Sequence, residues 1–261
     1  MTTAAAPIAV VTGASRGLGA GIALALAADG YDLVVGFHRD AEGAARTAAS
    51  VESLGHRAVT VAGDVAEPGT AKALLDAATS ELGGLDAWVN NAGVSVLAPV
   101  VDSVPADLVR MLDVNLLGTL HGLQAAAAWF LEAGRPGRIV NIASELGVQA
   151  FPLLGAYAAS KFAVVGLTQA AALELAPAGI TVNAVCPGTA ETDMVLAERA
   201  SEVHLSGHSP DEVRASYLDG IPAGRFCEPA DVGAAVTYLA GAGAAYVTGQ
   251  SICVNGGSVL R

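Results

Sequence analysis

The chain has 261 residues, a length that suits one large α/β domain and is ample for a buried core. Ala, Gly, Val and Leu dominate while aromatic and charged residues are scarce, which fits helices packed closely on a sheet and excludes a disordered chain. The net charge of −12 comes without any basic run, which argues against nucleic acid and anionic membrane surfaces as partners.

Apolar runs and helical patterns alternate from the start. Ile8–Val11 reads as a buried strand and Gly17–Asp29 as a helix. Asp32–Phe37 is a second strand, Asp40–Leu54 a second helix and Ala58–Val61 a third strand. A helix begins near Pro68. Ala87–Asn90, Arg138–Asn141, Thr181–Val185 and Ser251–Val254 complete the strands, with helices at about Pro105–Leu131, Ala156–Ala176 and Pro229–Ala240. Strands that are apolar throughout and alternate with helices predict an α/β fold: a single Rossmann-type, doubly wound domain over residues 1–261, with a seven-stranded parallel sheet covered by helices on both faces. The polar stretch Val195–Gly220, the one irregular part of the pattern, follows a strand end and reads as a helical lid over the site.

The longest strongly apolar helical run, Gly17 to Ala28, is too short to span a bilayer. No Lys or Arg precedes Arg16, which argues against a secretory signal. Cys186, Cys227 and Cys253 are odd in number and lack CxxC spacing, so they read as structural thiols of a cytoplasmic protein. His204 and His208 lack an HExxH context and are not read as metal ligands.

The stretch Thr12-Gly13-Ala14-Ser15-Arg16-Gly17-Leu18-Gly19 links the first strand to the first helix. Glycines there let the backbone turn tightly against a pyrophosphate, which then meets the free N–H groups and positive dipole end of the helix. The end of the second strand reads Gly36-Phe37-His38-Arg39, without the acidic residue that holds an NAD ribose. Asp40 comes late and reads as the cap of the next helix. Arg16 and Arg39 suit a 2′-phosphate, so NADP(H) is expected in preference to NAD(H), the alternative.

Tyr157 and Lys161 lie four residues apart and share a helix face, with Ser144 thirteen residues upstream of Tyr157. A phenol beside an ammonium makes a proton donor for a reacting carbonyl. A charge about 4 Å away contributes roughly 4 kcal/mol at an effective dielectric near 20, equivalent to about three pKa units before desolvation. Lys161 is therefore expected to pull the Tyr157 phenol down towards neutrality.

These segments together resemble the short-chain dehydrogenase/reductase (SDR) family over essentially the whole chain. The resemblance rests on the Thr12–Gly19 loop, Asp64-Val65, Asn90-Asn91-Ala92-Gly93, Asn115, Ser144, Tyr157, Lys161, Pro187-Gly188, Thr192-Asp193-Met194 and Asn255-Gly256-Gly257, in that order. It implies an NAD(P)-dependent oxidoreductase with Asn115, Ser144, Tyr157 and Lys161 as the catalytic tetrad. Gly13, Ser15, Arg16, Gly17, Leu18 and Gly19 would hold the pyrophosphate, with His38 and Arg39 at the adenosine ribose. Asp64 and Val65 would meet the adenine. Asn91, Ala92 and Gly93 would line the adenosine ribose. Pro187, Gly188 and Thr192 would hold the nicotinamide, and Tyr157 and Lys161 its ribose. Asn115 would place a water beside Lys161.

Two subfamilies compete for the substrate. Pro187–Met194 and Ile221–Arg225 resemble 3-oxoacyl-[acyl-carrier-protein] reductases. Ser160–Gln169 and the long lid are closer to acetoin, butanediol and polyol dehydrogenases. A carbonyl/secondary-alcohol ketoreductase of the first kind is the leading reading, and the diol dehydrogenase is the alternative. A non-catalytic dinucleotide sensor is a third, opposed by the complete tetrad. Val94–Leu97, Glu145–Leu154 and Thr189–Ala190 are expected to line the substrate pocket, with Glu145 and Gln149 as its polar readers. Apolar residues on more than one face of the helices Pro105–Leu131 and Ala156–Ala176 imply burial against partners, and the family resemblance implies a homotetramer.

Overall fold

The computed structural model describes residues 5–260; the first four residues and the last, included in the expected 1–261 domain, lie outside it. The strands are β1 (Ile8–Val11), β2 (Asp32–Phe37), β3 (Ala58–Ala62), β4 (Ala87–Asn90), β5 (Arg138–Ile142), β6 (Thr181–Pro187) and β7 (Ser251–Val254). They form one seven-stranded parallel sheet in the order β3-β2-β1-β4-β5-β6-β7. The chain winds outwards from β1 to one edge, returns to β4 and winds to the other edge. The β1/β4 boundary is thus the switch point where such sheets open a ligand crevice.

Helices α1 (Gly17–Ala28), α2 (Ala41–Ser53) and α9 (Pro229–Ala240) cover one face. Helices α3 (Pro68–Ala77), α5 (Gly118–Glu132) and α6 (Gly155–Leu175) cover the other. Alternation along β1 shows why both faces need cover: Ala9 and Val11 pack with Ile22, Leu26 and Leu239, while Ile8 and Val10 pack with Leu74, Trp88 and Phe130. Asp40 caps α2, its carboxylate accepting from Gly43 N at 2.9 Å, as the sequence predicts.

One element differs from expectation. The helix expected over Pro105–Leu131 is α4 (Pro105–Met111), a π-helical segment over Leu112–Leu117, and α5 in unbroken succession. The stretch Val195–Gly220 is mostly helical, as expected, with α7 (Asp193–Ser206) and α8 (Pro210–Asp219). Ser209 and Glu212 form a capping box at the start of α8.

A buried polar chain crosses the middle of the sheet. Trp88 Nε1 donates to Asn90 Oδ1 (2.7 Å), and Asn90 Nδ2 donates to Asn141 Oδ1 (2.9 Å). Asn141 Nδ2 then donates to Thr168 Oγ1 (2.9 Å), whose hydroxyl donates to Val164 O (2.8 Å). It ties β4 and β5 to α6, the helix that carries Tyr157 and Lys161.

Candidate active site

A cavity of about 860 Å³ opens at the carboxyl ends of the strands. Gly13, Ser15, Arg16, Gly17, Leu18 and Gly19 form one end, with His38 and Arg39 beside them. Asp64, Val65, Asn91, Ala92 and Gly93 continue the wall, and Ser144, Tyr157, Lys161, Pro187, Gly188 and Thr192 close the other end. Every residue predicted for catalysis or cofactor binding is on this surface except Asn115, which is fully buried behind it.

The glycine loop is built for close approach. Gly13 has φ 64°, and a Cβ at Gly19 would lie 2.2 Å from Gly13 O and 2.4 Å from Asn91 Nδ2. Asn91 Nδ2 donates to Thr12 O (2.9 Å) and Gly13 O (3.1 Å), and Thr12 Oγ1 accepts from Asn91 N and Ala92 N. The β1 and β4 loops are thereby sewn together. No side chain caps α1 and no acidic residue stands in its first turn, so its N–H groups face the cavity unspent. This is the environment a pyrophosphate needs. Thr192, at the start of α7, likewise makes no side-chain cap.

The basic residues divide. Arg16 pairs with Asp193 at 2.9 Å, linking the glycine loop to the start of α7. Arg39 is exposed and makes no ion pair among the described residues. Asp64 accepts from Ala66 N (3.1 Å) and from Arg110 on α4 (2.8 Å), with His38 at 4.0 Å. Partial burial pushes its carboxyl up, but Ala66 N–H and Arg110 win and hold it below the usual range. Arg110 was not legible as a site residue, because only the fold brings α4 to the end of β3.

At the other end, Lys161 is buried and donates from Nζ to Ile142 O at 2.9 Å, with Nζ 5.7 Å from the centre of the Tyr157 ring. Burial pushes its ammonium down to about 8, against a smaller upward pull from Cys186. The expectation for Tyr157 needs correction. Burial raises its phenol pKa, Glu198 adds to the rise and Ser144 opposes it; Lys161 is not among the causes. The reason is geometric: Nζ is turned to a strand carbonyl and stands over the ring, so loss of water outweighs the ion–dipole gain. Ser144 Oγ accepts from Leu146 N (3.1 Å), which fixes the hydroxyl at the carboxyl end of β5.

Asn115 lies in the π-helical segment. Its Oδ1 accepts from Val94 N (2.8 Å), and its Nδ2 donates to Val94 O and Ser160 Oγ, both at 2.9 Å. Ser160 Oγ in turn donates to Tyr157 O (2.7 Å). The Asn115 side chain is therefore fully engaged in joining β4's loop to α6, one turn from the phenol.

The substrate end also departs from expectation. Val94, Ser95, Glu145, Leu146, Leu154, Thr189 and Ala190 line the cavity, but Val96, Val148, Gln149, Phe151 and Leu153 do not. Phe151 and Leu153 pack instead with Leu97, Leu146 and Ala158 beneath it. Glu145 is buried and accepts from Ser258 Oγ, so the C-terminal segment engages it. The Val195–Gly220 stretch, expected over the site, contributes Glu198 from α7 and Tyr217 from α8. The helical pair is braced by Glu191, whose Oε1 accepts from Arg199 (3.2 Å) and Arg214 (3.0 Å), while both guanidinium groups lie over the Phe226 ring.

This arrangement presents a phenol, a hydroxyl and an ammonium at the end of a dinucleotide-shaped crevice. The family model for short chain dehydrogenases matches residues 7–203. The chain belongs to the short-chain dehydrogenase family. Among this short-chain dehydrogenase's relatives is an L-2,3-butanediol dehydrogenase of Corynebacterium glutamicum, 41% identical over 255 residues, covering 97% of this chain and 99% of the relative. A 3-oxoacyl-[acyl-carrier-protein] reductase of Staphylococcus aureus is 38% identical over 252 residues, covering 97% and 98%. A crystal structure of a short-chain type dehydrogenase/reductase from Mycobacterium marinum superposes with a TM-score of 0.87 at 34% identity, covering 98% of this chain and 96% of that one. This short-chain dehydrogenase is an NAD(P)-dependent oxidoreductase acting on carbonyl and CH–OH groups.

Proposed function

We propose that this short-chain dehydrogenase is an NADP(H)-preferring ketoreductase and secondary-alcohol dehydrogenase for small substrates, with Val195–Gly220 as its lid. The observation that carries the reading is the convergence of Ser144, Tyr157 and Lys161 on one end of a cavity whose other end is an uncapped helix N-terminus behind a glycine loop. The bound nicotinamide supplies or accepts the hydride at the substrate carbon. Gly13, Ser15, Gly17, Leu18 and Gly19 bind its pyrophosphate by backbone N–H groups. Asp64, Val65 and the Asn91–Gly93 turn hold the adenosine. Pro187, Gly188 and Thr192 orient the far end, and Lys161 binds the ribose there.

Ser144 donates to the substrate oxygen and keeps it in line with Tyr157, which gives up its phenolic proton as negative charge grows on that oxygen. Burial raises the pKa of Tyr157, so the phenol carries its proton at neutral pH, as the donor in reduction must. Oxidation requires the phenolate, which positive charge at the cofactor and at Lys161 must stabilise. Asn115 positions the Tyr157 turn through Ser160.

Tyr157→Phe is expected to abolish ketone reduction while leaving cofactor binding, read by nucleotide fluorescence, within a few-fold of wild type; turnover retained at wild-type level sinks the assignment. NADP(H) preference is supported by the absence of an acidic residue at the end of β2 and by the unpaired Arg39. Loss of one charge-assisted contact of about 1.5–3 kcal/mol predicts that Arg39→Ala raises KM for NADPH roughly ten- to a hundredfold and KM for NADH far less. An equal effect on both cofactors refutes it.

The acetoin/diol reading is favoured over a carrier-bound thioester by the acidic lid, which repels an acidic carrier. Cytoplasmic residence and a homotetramer complete the proposal. Support for the assembly comes from the exposed Val101, Val109, Phe162 and Leu173 around α4 and α6. No described helix is long and apolar enough to cross a membrane.

A further inference from the structure

Glu198 has no obvious reason to be buried. It sits in a polar run of α7, yet only 9% of it is exposed, and it lines the cavity beside Tyr157. No cation answers it. The nearby guanidinium groups of Arg199 and Arg214 are both committed to Glu191 and to the Phe226 face, and no ion pair among the described residues includes Glu198. Its nearest acidic neighbour, Glu202, accepts from Tyr217 Oη at 2.8 Å and adds repulsion. The buried hydroxyl of Ser95, also on the cavity wall, faces this carboxyl and eases its charge. Burial raises the Glu198 carboxyl above its usual range, with Glu202 adding and Ser95 opposing. A carboxyl in this position costs stability unless something completes it. Leu146, Leu154 and Val195 supply apolar wall at that end.

We propose that Glu198 is a specificity-determining residue that accepts a hydrogen bond from a donor, a hydroxyl or an ammonium, on the substrate carbon next to the reacting carbonyl. The proposal rests on the reductase reading above and narrows it. Tyr157 and Ser144 hold the reacting oxygen, and Glu198, reaching in from α7, faces the adjoining substituent. Simple ketones leave the carboxyl uncompensated, and carboxylates placed there are repelled. Sites built to bond a polar substituent discriminate strongly against analogues that lack it.

The test is a series of methyl ketones that differ only in that substituent: butanone, hydroxyacetone, aminoacetone and acetoacetate. Each is reduced with NADPH by wild type, Glu198→Gln and Glu198→Leu. These ketones differ in intrinsic reactivity, so the readout is how each kcat/KM ratio to butanone changes on substitution, which also cancels any general loss of activity. The aminoacetone ratio is expected to fall about tenfold or more in Glu198→Gln, and both donor ratios about tenfold or more in Glu198→Leu, with the acetoacetate ratio rising. Ratios that stay within about twofold of wild type in both variants overturn the proposal while leaving the reductase reading intact. If wild type turns over none of the four ketones, the reductase reading itself falls and this inference with it.

Discussion

Tyr157 and Lys161 meet the same penalty, loss of water, with opposite results: the phenol holds its proton more tightly and the amine more loosely. For Lys161 the sign is clear. Its pKa falls from 10.5 to about 8 on folding, so between those values the unfolded chain binds more protons. Burying the charged amine costs about 3 kcal/mol, fully below pH 8 and fading as pH rises towards the unfolded value. Lys161→Met, without cofactor, is therefore expected to be inactive yet more stable than wild type at neutral pH, by about 1–3 kcal/mol after loss of the bond to Ile142 O. Paired urea titrations should show that gap closing between pH 8 and 10. A gap that widens with pH contradicts the assignment.

The π-helical segment Leu112–Leu117 shows how an element serves a site it does not line. The wider turn is common where helices carry function. Here it places Asn115 against Val94 and Ser160, so one amide holds both the β4 loop and the start of α6. Asn115→Ala leaves Val94 N–H, Val94 C=O and Ser160 short of partners, with an expected loss of about 2–4 kcal/mol in denaturant unfolding. A loss below about 1 kcal/mol would mean that the loop is held otherwise.

Much of this was legible in the chain itself. Ile8–Val11 and Ala87–Asn90 carry unbroken apolar character, so their bounds agree with the structure. The ordered glycine, Ser, Tyr and Lys positions all reach one cavity. The π segment was not legible, because Leu112–Leu117 has the same apolar spacing as an α-helix. Nor was the burial of Arg199, because the groups that make it tolerable, Glu191 and Phe226, stand outside the polar run that was read. Lys161 was recognised, but which way its ammonium points depends on Ile142 O, a carbonyl supplied by another strand.

At the scale of the whole molecule, exposed apolar side chains concentrate around α4 and α6. Val101 is 91% exposed and Leu173 81%. Such surface in a chain of high negative charge calls for a partner, and another copy is the simplest one. Sedimentation equilibrium is expected to show an assembly, and Leu173→Glu with Phe162→Glu should shift it to smaller species. A wild-type monomer at micromolar concentration would end the argument.

The buried chain from Trp88 through Asn90, Asn141 and Thr168 to Val164 anchors α6 on β4 and β5, with no member from the helical pair α7–α8. The dyad's placement therefore owes little to residues 193–219. A graft that exchanges this pair for another of similar length, together with its Glu191 and Phe226 anchors, should retarget the enzyme to new ketones without disturbing the proton donor. A graft within α6 should not.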